Sequence, residues 1–205
     1  MSFYLVNDEE LIFVPYNLMA VDFEFVTTKI IEKKAKKHFQ EIVEIGVVQK
    51  SEDLIKEYSG IIKPRHFISS KNKDQSIYGV KFSLEDIANG IDISEAFEEI
   101  KEIYNPKETI WMSWGRAEYD ILRKVCRNYN IIVPFLKEDH LDLSVEFKNF
   151  YNMKQNVSLD KALNFLHMPI VDRHNALPDA RSVMNIANKM FIDGYRLKEK
   201  YIKDL

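Results

Sequence analysis

The chain has 205 residues, 46% hydrophobic and 12% aromatic, enough apolar material for one sizeable core and too little length for two generous domains. Six Gly and six Pro exclude collagen-like or disordered composition, and the lone Cys126 excludes an internal disulfide framework or a cysteine-built zinc site. A net charge of -3 gives no global pull on polyanions, so any nucleic acid must be gripped locally, by a basic patch or by bound cations.

No run approaches the length of a membrane span, and MSFYLVNDEE turns acidic too early for a signal peptide. With a single cysteine, this fits a cytoplasmic protein without membrane association. LMAVDFEF (18–25) predicts a buried strand; KIIEKKAKKHF (29–39) reads as a lysine-rich interruption before a second strand, EIVEIGVVQK (41–50). Residues 55–63 alternate as a third strand that Pro64 ends, and 64–82 read as a polar excursion with a turn at Tyr78-Gly79. Ser83 with Asp86 resembles a helix start, and an amphipathic helix follows Ser94 through Phe97, Ile100 and Ile103. TIWMSW (109–114) predicts a buried strand, followed by a helix over 117–129. HLDLSV suggests a fifth strand, and helical patterns fill most of 146–166 and 178–203, with Pro178 in a first helical turn. The sum is a single α/β domain over 1–205, a mixed five-stranded sheet flanked by helices, with no repeat or linker.

Asp22 and Glu24 share a strand face, roughly 7 Å apart along the backbone. Two carboxylates side by side at the end of an apolar strand repel each other unless cations bridge them or their ends reach solvent. In HNALPDA, His174 lies in a loop and Asp179 in the first turn of a helix. Val183, Ile186, Ala187 and Met190 follow Asp179 at offsets of four, seven, eight and eleven, so this acid heads the apolar stripe and faces inward. Glu118 heads the same ladder on the earlier helix, through Leu122, Val125, Cys126 and Tyr129. Asp120 falls on the face of Arg123, Lys124 and Arg127, where a solvated pair with Lys124 is its simplest role.

Asp-x-Glu on a first strand, an acid opening a central helix, and His-x-x-x-x-Asp opening a late helix resemble the DEDDh 3′–5′ exonucleases, whose fold is ribonuclease H-like. The contexts VDFEF, EIVEIGVV and SWG look most like the branch containing the sporulation-inhibitor and Eri-type exonucleases. The resemblance covers about 17–192, leaving a C-terminal helical extension over 193–205. It departs in the middle motif. The family places an aspartate four residues after the tryptophan of Trp-Gly, and that count from Trp114 reaches Glu118. Residue type selects Asp120, whereas spacing and helical phase select Glu118.

The resemblance implies hydrolysis of RNA or single-stranded DNA from a free 3′ end to nucleoside 5′-monophosphates, using two divalent cations, Mg²⁺ or Mn²⁺. Hard carboxylate oxygens suit such ions. Asp22 would bridge both, Glu24 and Asp179 would hold the ion that binds the attacking water, and Glu118 (or Asp120) would position the other. His174 would accept the water's proton. Phe25, Ile77 and Tyr78 are candidates for stacking on a terminal base, and Lys29, Lys33, Lys34, Lys36 and Lys37 for phosphate contacts; packing and a solvated loop are the plainer alternatives. The rival reading is a nucleic-acid-binding or interaction module on the same fold that has weakened or lost catalysis. Oligomeric state is open.

Overall fold

The computed structural model describes residues 3–7, 10–14, 17–32, 35–51, 54–66 and 83–197. Its centre is the strand Asn17–Glu32 (β3), preceded by a separate two-stranded antiparallel hairpin of Phe3–Asn7 (β1) and Glu10–Val14 (β2) that the sequence reading does not contain. Around β3 lie Ala35–Ser51 (β4), Leu54–Ile61 (β5), Thr109–Ser113 (β6) and His140–Asp142 (β7), in the order β5-β4-β3-β6-β7. Pairing is antiparallel through β3, β4 and β5 and parallel through β3, β6 and β7, the mixed five-stranded sheet expected.

Strand alternation divides the core in two. Leu18 and Ala20 face one side, packed with Leu141, Phe147, Leu163 and Val183 beneath the helices Leu143–Phe150 (α4), Leu159–Phe165 (α5) and Ala176–Ile192 (α6). Met19, Val21 and Phe23 face the other, packed with Phe97, Ile100, Leu122 and Val125 from Ile93–Lys101 (α2) and Ala117–Tyr129 (α3). Because both faces are covered, the centre of β3 and all five residues of β6 are buried, which is why they read as continuous apolar runs. Leu84–Ala88 (α1) begins in a full capping box between Ser83 and Asp86. Asp92, not Ser94, caps α2, accepting a hydrogen bond from the Ser94 amide.

Four expectations are corrected. The lysine-rich stretch is no interruption, since β3 runs on to Glu32 and β4 begins at Ala35. HLDLSV supplies only three strand residues, because the Asp142 carboxylate accepts from the Val145 amide and starts α4 at once. The pattern over 146–166 is two helices: Asn152 turns left-handed (φ 54°), the Met153 amide closes on the Lys148 carbonyl at 2.8 Å, and Ser158 restarts the chain as a cap. Finally, α6 stops at Ile192, where Gly194 (φ 98°) lets the Tyr195 amide reach the Met190 carbonyl at 2.8 Å. Tyr195 then packs against Phe150 and Phe191, so 193–197 are not helical and the rest of the expected C-terminal extension lies outside the described residues. Among the described residues no helix is long and apolar enough to cross a membrane.

Candidate active site

The sheet delivers two carboxylates and a helix delivers a third. Asp22 and Glu24 share the α6 side of β3; Asp22 pairs with Gly46 and Glu24 with Glu44 on β4, and a bulge follows between Glu24 and Phe25. The start of α6 rests on β4 at Gly46. Its N-cap, Asn175, makes no side-chain cap bond; instead buried Glu44 reaches across and accepts from the Ala176 amide at 3.0 Å. One turn in, Asp179 points inward, 4% exposed, with an oxygen accepting from the His174 amide at 3.2 Å. Ligand atoms of Glu24, His174 and Asp179 lie within 4.8 Å of one another.

Glu118 completes the group from the other side. After β6, Gly115 adopts φ 109°, open to glycine, and the Ser113 hydroxyl donates to the Gly115 carbonyl at 2.7 Å while meeting His140 Nε2 at 2.8 Å. This turn starts α3 with Glu118 in its first turn, facing the acids. Burial raises the Asp22 carboxyl well above the usual carboxylate range, and the charges of Glu118, Asp179 and Glu24 push the same way against Arg173. Burial pushes Glu118 up to about 7, with Asp142 and Glu24 adding to it and a backbone hydrogen bond opposing. Burial also raises Asp179, opposed first by its bond to Arg173. Four carboxylates gathered here, Asp22 and Asp179 buried and Glu24 and Glu118 half-buried, ask for positive charge.

Asp120 is elsewhere. It is 40% exposed and paired with Arg116 at 3.3 Å; the expected partner, Lys124, instead donates to Gln40 at 3.2 Å. Geometry thus brings Asp22, Glu24, Glu118, Asp179 and His174 together and leaves Asp120 on the outer face of α3. His174 is exposed and left-handed (φ 63°). Phe25 packs, partly buried, on the α3 side of the sheet, opposite the carboxylates. Ile77 and Tyr78 lie outside the described residues, as do Lys33 and Lys34; the backbones of Lys29, Lys36 and Lys37 belong to the β3–β4 hairpin. Cys126 is buried in the core, as its place on the stripe predicts.

Sequence reasoning missed four participants. Arg173 contacts both Asp179 and Asp160 of α5, a protein cation at the rim of the cluster. Asp142 caps α4 close enough to act on Glu118, and the Asp-x-Ser at the head of α4 was a usable signal for it. Glu44 and Gly46 seat α6, and their partners lie more than a hundred residues away in sequence.

The donor set fits divalent cations. Glu118 Oε2 is buried without a hydrogen-bond partner, and Glu24, His174 and Asp179 each bring a ligand atom within 4.8 Å of the other two. No protein-family model matches the chain. The chain is similar to the probable 3′–5′ exonuclease KapD of Bacillus subtilis (strain 168), 26% identical over 166 residues that cover 80% of this chain and 79% of that one. Among solved structures it is similar to the nuclease domain of 3′hExo, a DEDDh family member bound to rAMP (TM-score 0.70, 19% identity, 89% of this chain and 95% of that one). It is also similar to cell-death related nuclease 4 (TM-score 0.69, 15% identity, 87% of this chain), of which it spans 64%. These solved structures share its ribonuclease H-like fold.

Proposed function

We infer that the chain is a DEDDh-type 3′–5′ exonuclease, working as one domain in the cytoplasm on RNA or single-stranded DNA and releasing nucleoside 5′-monophosphates. The observation that carries this reading is the convergence of Asp22, Glu24, Glu118 and Asp179, from two strand positions and two helix starts, beside an exposed histidine. The acids come from three segments far apart in sequence, at 22–24, 118 and 179, and a surface of unrelated charges would not gather them around two buried aspartates.

Two divalent cations, Mg²⁺ or Mn²⁺, suit this set: Glu24 and Asp179 with His174 nearby on one side, Glu118 on the other, Asp22 between them. Bound there, such ions neutralise phosphodiester charge and lower the pKa of bound water. The chain's own residues then do the positioning. Asp22, nearly inaccessible on a central strand, fixes the depth at which a phosphate sits. Glu44 and Gly46 hold the first turn of α6, and with it Asp179, against the strand. His174 is exposed, so it can take the proton of a water attacking phosphorus. As the bond from phosphorus to the 3′ oxygen of the preceding nucleotide breaks, that oxygen takes up a proton from solvent, and His174 then returns its own proton to solvent. The glutamate at 118 reaches one methylene further than aspartate, which keeps its carboxylate at the cluster from the same helix phase.

Incubation of the purified chain with a 5′-labelled single strand tests the reading. Stepwise shortening from the 3′ end with Mn²⁺ or Mg²⁺, abolished by EDTA and restored by excess ion, is expected. Binding without shortening would favour the inactive module, and shortening in chelator would overturn the cation mechanism. The histidine's part is separable: His174→Ala should lose about 10²–10⁴-fold in rate while retaining an affinity for the 3′ end.

A further inference from the structure

Outside the carboxylate cluster, the most strongly charged feature of the described residues is the outer face of α3. Arg116, Asp120, Arg123, Lys124 and Arg127 recur at offsets of zero, four, seven, eight and eleven, the same ladder that the buried face follows on the opposite side. Arg116 holds Asp120 at 3.3 Å, and among the described residues no carboxylate pairs with Arg123, Lys124 or Arg127. These three cations and Asp120 line a cleft of about 420 Å³ with Cys126, Ile131 and Val133. On a chain of net charge -3, such a local excess of positive charge stands out.

From this cleft Lys124 reaches across to β4, donating to Gln40 at 3.2 Å. Arg123 to Arg127 lie five to nine residues beyond Glu118, about 8–14 Å along the helix axis. At about 3.4 Å per nucleotide of stacked strand, that spans roughly two to four nucleotides.

We propose that Arg123, Lys124 and Arg127 form a binding site for the upstream phosphates of a single strand whose 3′ end occupies the carboxylate cluster. This rests on the exonuclease reading and adds a substrate-length preference to it. The ligand is a polyanion with alternating charged and apolar parts: phosphates meet the three cations, and sugar or base faces meet Ile131 and Val133. The site makes no use of base identity, so it favours long strands over short ones without sequence preference.

The test compares the full-length chain with Arg123→Gln/Lys124→Gln/Arg127→Gln and with the milder Arg127→Gln. Affinity for a fluorescent 12-nucleotide single strand with phosphorothioate 3′ linkages is measured by anisotropy against salt, and turnover of a dinucleotide is measured with Mn²⁺. The triple variant should bind the 12-mer at least tenfold more weakly, its slope of log affinity against log salt should shrink by about 2, and Arg127→Gln alone should remove about 0.7. Dinucleotide turnover should stay within twofold. Unchanged affinity and slope, or equal losses on both substrates, would overturn the proposal. A wild-type chain that leaves the dinucleotide intact sinks the exonuclease reading instead, while the anisotropy still decides the cleft.

Discussion

Gly46 lies so close to Ala176 that a Cβ on the glycine would sit 2.1 Å from the alanine's carbonyl carbon. The contact is backbone against backbone, so no side chain can rotate away. It places the first turn of α6 on the strand position paired with Asp22, and thereby sets the separation of Asp22 from Asp179.

Gly46→Ala should therefore move α6 rather than fill a gap. Overpacking of this kind costs about 1–3 kcal/mol or more. We expect a lower unfolding temperature and, in the fraction that folds, loss of the stabilisation that Mn²⁺ gives the parent, because ions stabilise only the assembled site. Differential scanning fluorimetry with and without Mn²⁺ reads both. A variant as responsive to Mn²⁺ as the parent would show that Asp179 keeps its place without the close approach.

The carboxylates should also make stability fall with pH when cations are removed. Glu118 is pushed up to about 7 from an ordinary 4.5, and Asp22 moves in the same direction. The folded state thus binds protons more tightly than the unfolded chain. Its stability is fullest below about pH 4.5 and is lost as pH rises through 7, by an amount on the order of 3 kcal/mol for Glu118 alone. In EDTA the unfolding temperature should drop between pH 5 and 8. Glu118→Gln should flatten the trend, and saturating Mn²⁺ should suppress it by favouring the deprotonated groups. A rise in unfolding temperature over that range in EDTA would contradict the buried-acid account.

How much of this was legible follows from what fixes each feature. Asp22 and Glu24 share a face because strands have a period of two, and Asp179 and Glu118 face inward because each heads a helical apolar ladder; both are local rules. Arg173 obeys none, since it sits in a loop between left-handed Asp172 and His174 and reaches Asp160 on another helix. Glu44 looks like any strand residue until Ala176 arrives from 132 positions away. The continuation of β3 and β4 past Glu24 is hidden in the sequence because its β-branched residues, Thr27, Thr28, Ile30 and Ile31, are diluted by lysine.

Arg173 supplies the protein's own positive charge at the site. Its side chain is 18% exposed and contacts Asp179 and Asp160. Arg173→Met should destabilise the cation-free chain by up to about 3–5 kcal/mol, the range for breaking a buried pair by removing one partner. Divalent ions would then take over the neutralisation of Asp179, so the rise in unfolding temperature on adding Mn²⁺ should be larger in the variant than in the parent. An equal rise in both would mean that Arg173 and the ions do not share Asp179.

The middle motif gives the sharpest contrast. Glu118 and Asp120 are two residues apart on α3, yet one lies among the acids with an orphaned buried oxygen and the other holds Arg116 at the surface. Glu118→Gln keeps size and packing while removing the charge, and turnover should fall by about 10²-fold or more, the range for lost transition-state electrostatics. The same change should raise metal-free stability near pH 8, because it removes a buried charge that only cations balance. Asp120→Asn should leave turnover within about twofold and cost a few tenths of a kcal/mol, about the worth of an exposed i,i+4 pair. Rates on a labelled strand with Mn²⁺, together with unfolding temperatures in EDTA, measure all four quantities. An inactive Asp120→Asn beside a near-normal Glu118→Gln would mean that residue type outranks helical phase, and that α3 turns by more than half a revolution when ions bind.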